Sequence, residues 1–104
     1  MSHDDRLPTL SGKERIILEL LINSGEMYGL ELVKASDGEL KRGTVYVTLD
    51  RMEDKGLVES RQEDQAEHGG IPRRLYRPTG HGARVLRAIE AFAMAMRGGG
   101  EVAS

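Results

Sequence analysis

The chain has 104 residues, 38% hydrophobic and 31% charged, and a net charge of −2. That is one domain's worth of sequence, with a small core and much exposed surface. The absence of cysteine removes disulfides, thiolate zinc sites, iron–sulfur clusters and cysteine nucleophiles together, and it fits a reducing, cytoplasmic setting.

No apolar run approaches the roughly 20 residues that cross a bilayer. Met1 to Arg6 is polar and acidic, without the apolar centre of a signal peptide. No membrane partner is expected. The pI of about 5.9 gives no support to nucleic-acid binding by itself. The distribution of charge says more. Residues 41 to 77 carry eight Lys/Arg against seven Asp/Glu, while the rest of the chain is acidic. Phosphates feel the local field of such an edge, not the total charge.

Residues 1–9 read as a loose leader. Ser11 and Glu14 form a capping box that starts a helix running to about Asn23. Ile17, Leu18, Leu21 and Ile22 give it an apolar face, and Ser24-Gly25 ends it. A short second helix is expected over Tyr28–Ala35, with Leu30, Leu32 and Val33 as its apolar residues. Ser36-Asp37-Gly38 is a turn. A third helix is expected from Lys41 or Arg42 to Lys55, because Val45, Leu49 and Met52 fall at i, i+4 and i+7. Gly56 is its stop.

Leu57–Arg61 and Arg73–Arg77 read as two strands of a ribbon. Between them, residues 63–72 hold Gly69-Gly70 and Pro72 and form a long tip. His68 sits in that tip. Thr79 is the expected N-cap of a last helix, whose first turn Gly80 and Gly82 weaken. Val85, Ile89, Phe92 and Met96 form a stripe spaced 4, 3, 4, which Leu86 and Ala93 widen. Gly98-Gly99-Gly100 is expected to end this helix, leaving 98–104 as a disordered tail.

The fold class is therefore mainly α with a small β-hairpin (α+β). Three helices followed by a ribbon is the order of a winged helix-turn-helix, here over residues 10–78. In that architecture the third helix enters the major groove of DNA and the ribbon lies on the backbone or minor groove beside it. A small α+β domain without a nucleic-acid role has the same elements.

Local residues favour DNA. The run Lys41-Arg42-Gly43-Thr44-Val45-Tyr46-Val47-Thr48-Leu49-Asp50-Arg51-Met52-Glu53-Asp54-Lys55-Gly56-Leu57-Val58 resembles the recognition helix and wing entry of PadR-type transcriptional regulators. Arg73-Arg74-Leu75-Tyr76-Arg77-Pro78-Thr79-Gly80-His81-Gly82 is similar to the family's second wing strand and the opening of its last helix. Tyr28-Gly29-Leu30-Glu31-Leu32 matches the start of its second helix. The resemblance covers about residues 10–96. Two departures stand out: Val47 occupies a position that is often proline, and one C-terminal helix replaces the several of many members, as in the short subfamily.

Candidate DNA contacts follow. An end-on approach presents Arg42, Gly43, Thr44 and Val47 first, and keeps Asp50 and Asp54 away from phosphates. Gly43 permits close backbone approach. Thr44 suits phosphate or a base edge. Val47 suits a thymine methyl; an incidental exposed residue is the alternative. Tyr46 either packs its ring beside Val45 and Leu49 or offers its hydroxyl to a phosphate, and the resemblance implies the second. Lys41, Arg42, Arg51, Arg73 and Arg74 are candidate phosphate clamps. Alternation puts Arg73 and Arg74 on opposite ribbon faces, and Arg73, nearer the tip, ranks first.

The last helix, 79–97, is expected to pair with its copy in a second chain through Val85, Leu86, Ile89, Phe92, Ala93 and Met96. A two-fold homodimer then offers two recognition helices to two half-sites. The resemblance implies the same. Packing on the chain's own first helix is the alternative.

The leading expectation is a dimeric, sequence-specific DNA-binding regulator that acts as a repressor. The other is a winged-helix module that binds protein instead of DNA. An enzyme has little support: His3, His68 and His81 are scattered, and no glycine-rich phosphate motif follows a strand. No ligand spacing supports a metal, and no cofactor is implied. Relatives can bind planar aromatic compounds in the dimer interface. With no Trp and Phe92 alone on the last helix, no aromatic sandwich is expected, and the identity of any small-molecule effector is not encoded in a recognisable way.

Overall fold

In a computed structural model, residues 9–63 and 73–102 are described, the last helix with side chains up to Arg97. Most of the expected leader, and the wing tip with His68, lie outside the described residues.

Helix α1 spans Gly12–Ser24. Its capping box forms as expected: the Glu14 amide donates to Ser11 Oγ at 3.1 Å, and the Ser11 amide donates to Glu14 Oε1 at 2.9 Å. Ile17, Leu18 and Leu21 are fully buried, whereas Ile22 lies outward, half-exposed. At 100° per residue Ile22 is carried past the edge of the apolar face. Gly25, at φ +93°, returns its amide to the Leu21 carbonyl.

A two-residue strand, β1 (Met27–Tyr28), comes next. It takes Tyr28 out of the expected second helix, which is α2, Gly29–Ala35. Two residues are too few to show alternation, so the strand had no legible period. Its partner exists only in three dimensions. Ser36 then turns the chain: its hydroxyl donates to the Val33 carbonyl and accepts from the Leu40 amide. That places Leu40 in the core.

Helix α3 is Val45–Asp54. It begins later than expected, because residues 42–44 form a turn, with the Thr44 and Val45 amides both bonded to the Lys41 carbonyl. Its C-terminus is a Schellman motif: Leu57 N–H reaches Met52 O and Gly56 N–H reaches Glu53 O, with Gly56 at φ +75°. The motif drives Leu57 into the core.

The ribbon is β2 (Val58–Glu63) and β3 (Arg73–Pro78), antiparallel, with Val58 opposite Pro78 and Glu63 opposite Arg73. Strand β1 pairs with the other edge of β3, Met27 opposite Tyr76 and Tyr28 opposite Leu75, so the sheet order is β1-β3-β2. The expected hairpin is therefore the larger part of a three-stranded sheet.

Helix α4 spans Gly80–Val102. Thr79 caps it, accepting from the Gly82 amide and donating to the Gly56 carbonyl. The helix continues through the three glycines expected to end it. A glycine costs about 1 kcal/mol against alanine inside a helix but does not forbid helical φ/ψ, and an alanine-rich helix is already propagating there. The tail expected over 98–104 is thus helical as far as Val102.

Helix α4 also divides its stripe in a way the sequence did not. Val85 and Leu86, expected at a dimer interface, are buried in the chain's own core with Ile17, Leu18 and Leu21. Ile89 packs against the rim of that core. Beyond it, Phe92 is 48% exposed and Met96 63%.

Candidate nucleic-acid interface

The Val45, Thr48, Leu49 and Met52 face of α3 is buried. Packing that face turns the opposite one outward. Lys41, Arg42, Gly43 and Thr44 are exposed on the turn before the helix, and Tyr46, Val47 and Arg51 on the helix itself. Val47 is 56% exposed. Thr44, at the N-cap position, makes no side-chain capping bond.

Some of these residues converge and others do not. Arg42, Tyr46, Arg73 and Arg74 line one half-open groove of about 870 Å³ with Tyr28, Gly29, Lys34 and Tyr76. It lies between the start of α2, the N-terminal turn of α3 and the wing. Lys41, Gly43, Thr44 and Val47 lie outside that groove. Arg51 also lies outside it, near enough to Glu14 of α1 for its positive charge to act there. Asp50 and Glu53 instead face the wing, where their charges act on Tyr76.

The Tyr46 ring reaches beyond its own helix. It crosses to α2 and rests on Gly29. A Cβ at that glycine would fall 2.5 Å from Cε1 and 2.7 Å from the hydroxyl oxygen. The residue as a whole is 42% exposed.

The two wing arginines are held differently. Arg74 donates to Ser60 Oγ at 2.9 Å and to Gln62 Oε1 at 3.3 Å. Ser60 in turn donates to Glu53 Oε2 at 2.9 Å, which ties the wing to α3. Arg73 places its guanidinium 4.3 Å from the centre of the Tyr28 ring. The Tyr28 hydroxyl donates to Glu63 Oε1. That bond to a carboxylate, helped by burial, raises the Tyr28 pKa, while Arg73 opposes the rise. Tyr76, beneath the groove, has its pKa raised by burial first and by Asp50 second.

Sequence reasoning missed Tyr28, Gly29 and Tyr76 as parts of this site. Tyr28 and Gly29 stand beside Leu30 in a motif that reads as a helix start, and nothing local says that Tyr46 will land on the glycine. Among the described residues no group of His, Asp and Glu is arranged to hold a metal ion. No described helix is long and apolar enough to cross a membrane.

The sequence model of the transcriptional regulator PadR-like family matches residues 17–88. The chain belongs to the PadR-like family. A PadR family transcription regulator from Clostridium difficile R20291 is 28% identical, with a TM-score of 0.71 over 84% of this chain and 92% of that one. A PadR family regulator from Eggerthella lenta is 32% identical, with a TM-score of 0.67 over 88% and 80%. The PcaV regulator of Streptomyces coelicolor, solved with its natural ligand, is 22% identical at a TM-score of 0.70 over 85% and 58%, a likeness of fold alone. A comparison with curated protein sequences gave no match.

The family match begins inside α1 and ends inside α4. It therefore includes α2, α3 and both wing strands, the elements that build the groove. This PadR-family chain is a winged-helix transcriptional regulator, and DNA is the partner of its class.

Proposed function

We propose that the chain acts as a homodimeric, sequence-specific DNA-binding repressor. Helix α3 approaches the major groove by its N-terminal end, and the wing lies on the backbone beside it. The observation that carries this reading is the groove itself. It opens beside the exposed Lys41–Thr44 turn and gathers Arg42, Arg73 and Arg74 with Tyr46. Arginines suit phosphate oxygens by geometry and charge. Lys41, Arg42, Gly43, Thr44, Tyr46 and Val47 form the leading end; Arg73 and Arg74 form the wing clamp. Arg51, outside the groove, takes the lesser part.

Dimerisation rests on the outer half of α4. Phe92 and Met96 stand exposed there with Ala93 between them, on a helix about 34 Å long by its rise of 1.5 Å per residue. Pairing with a second copy covers that apolar surface and supplies the second recognition helix. Repression follows where the bound dimer overlaps a promoter.

The test starts with selection from a random duplex library, then measures binding of the selected duplex against salt by fluorescence anisotropy. A steep salt slope and a two-fold repeated site are expected. Binding that ignores salt and sequence sinks the reading, because phosphate neutralisation must release counterions. A reporter carrying the selected site over its promoter, silenced by the regulator, tests repression.

A further inference from the structure

One side chain reaches both strands of the wing. Tyr28 sits where three elements meet. Its backbone pairs with Leu75 of β3. Its amide donates to Glu31 Oε1 at 2.8 Å, at the N-cap of α2. Its side chain then reaches along the sheet to the last described pair of the ribbon. The hydroxyl donates to Glu63, the end of β2, and the ring carries the guanidinium of Arg73, the start of β3, at 4.3 Å. Glu63 and Arg73 are direct cross-strand partners.

We infer that Tyr28 is a positioning residue for DNA binding, holding the root of the wing tip to the helix-turn-helix and presenting Arg73 to phosphate. The inference rests on the proposed role of the wing.

The physical case has two parts. A free arginine side chain has several rotatable bonds, and fixing them on binding costs conformational entropy. An arginine already laid on an aromatic face loses less. The cation rests over the ring at 4.3 Å, an attraction between its charge and the negative face of the ring. A guanidinium has five N–H donors, so an Arg73 held by the Tyr28 ring and hydroxyl still has donors for phosphate. The second part is mechanical. The ladder to β1 and the Ser60–Glu53 bond hold the proximal wing. Tyr28 extends that hold to the Glu63–Arg73 pair, the last described pair of the ribbon. None of this requires Tyr28 to touch DNA.

The test uses the full-length protein with the selected duplex. Tyr28→Phe keeps the ring and loses the Glu63 bond; Tyr28→Leu loses both. Two readouts are taken. Nuclear magnetic resonance of the Arg73 side chain in the DNA-free protein reports the ring-current shift that only a stacked guanidinium shows. Anisotropy gives affinity in wild-type and Arg73→Ala backgrounds. Tyr28→Leu is expected to erase the ring-current shift and weaken binding by about two- to fivefold, the range of an exposed cation–π contact. Tyr28→Phe should retain the shift and restore most of the affinity. In the Arg73→Ala background the Tyr28→Leu loss should largely vanish.

A Tyr28→Leu loss of equal size in both backgrounds would leave Tyr28 a merely structural residue and overturn the inference. So would unchanged affinity for Tyr28→Leu beside a weakened Arg73→Ala. Full affinity for Arg73→Ala would instead overturn the wing reading on which the inference stands.

Discussion

Gly29 and Tyr46 are complementary: the ring of the one lies where the other has no side chain, at 2.5 Å from the position a Cβ would take. Real Cβ atoms do not approach that closely, so any larger residue at 29 must displace Tyr46. Gly29→Ala is therefore expected to destabilise the fold by about 1–3 kcal/mol through overpacking and to weaken DNA binding further than its stability loss explains. Adding Tyr46→Ala removes the obstructing ring, so the double variant should recover stability relative to Gly29→Ala alone. Thermal melts of the three variants check this. A double variant whose loss is the sum of the two singles would mean that the ring moves aside freely.

A second glycine gives a sharper contrast. A Cβ at Gly82 would lie 2.1 Å from the Leu57 carbonyl oxygen, which is backbone, whereas a Cβ at Gly80 meets only the flexible Arg84 Nη1 at 3.4 Å. Gly82→Ala is expected to cost more than about 2 kcal/mol, because α4 must shift off the Leu57 strand entry. Gly80→Ala should be neutral or stabilise by less than about 1 kcal/mol through helix propensity. Urea midpoints compared at constant slope decide it, and equal effects at the two sites would refute the packing account.

The two glycines also mark the limit of what was legible. Both read as weak points in helices when taken locally. Their purpose is close approach to residues 17 and 25 positions away in sequence, which no local period encodes. The elements that did declare themselves rest on local chemistry: the Ser11–Glu14 box, the 45, 49, 52 face and the Gly56 stop. Strand β1 was too short to show alternation and became visible only through its ladder with β3. At the site, the exposure of Val47 was readable from the helix period, whereas Tyr46 stood between two readings and residues 42–44 lie in a turn outside that period. The groove was not readable, because it joins α2, α3 and β3, and its tyrosines come from three elements. The stripe on α4 was legible as one face, but nothing in its spacing revealed that Val85 and Leu86 belong to the chain's own core and Phe92 and Met96 do not.

Glu14 makes the fold sensitive to acid. It is 3% exposed and bonded to the Ser11 amide and to Lys55 Nζ at 2.9 Å. Burial pushes its pKa up, but the amide bond and the nearby Lys55 and Arg51 charges together hold it below the ordinary value of 4.5. A carboxyl whose folded pKa is depressed favours the folded state above its unfolded pKa, and that contribution disappears as pH falls through the folded value. Stability should therefore decline from near pH 4.5 downward, and Glu14→Gln should flatten that decline. The same variant should lose about 1 kcal/mol or more at neutral pH, where the wild-type carboxylate is charged and paired. Urea denaturation from pH 7 to pH 3 measures both. A variant with an undiminished acid slope would assign the slope to other carboxylates.

The divided stripe of α4 predicts two classes of variant. Phe92→Asp should leave a folded chain of single mass, because Phe92 stands outside the core. Leu86→Asp should unfold the protein, since it buries an unpaired charge. Sedimentation at micromolar concentration separates the outcomes, with the wild type at about twice the chain mass. A wild type that sediments as a clean monomer removes the dimer proposal.

The sharpest division of labour is between Arg42, Arg73 and Val47. The arginines line the groove between α3 and the wing, so they are expected to act on phosphates, which every duplex carries alike. Arg42→Ala or Arg73→Ala should weaken specific and non-specific binding together, and flatten the log–log salt dependence by about one unit per lost contact. Val47 is uncharged and more than half exposed on the outer face of α3. It has no counterion to release, so Val47→Ala should leave the salt slope where it was. Its effect should appear at one base pair of the selected site, as a relaxed preference of roughly 1 kcal/mol where it meets a thymine methyl. Measuring affinity against salt and against single-base variants of the duplex gives each residue two coordinates, and phosphate clamps and base readers fall in different quadrants. An altered base preference with an intact salt slope for Arg73→Ala would place the wing among the readers and reverse the assignment.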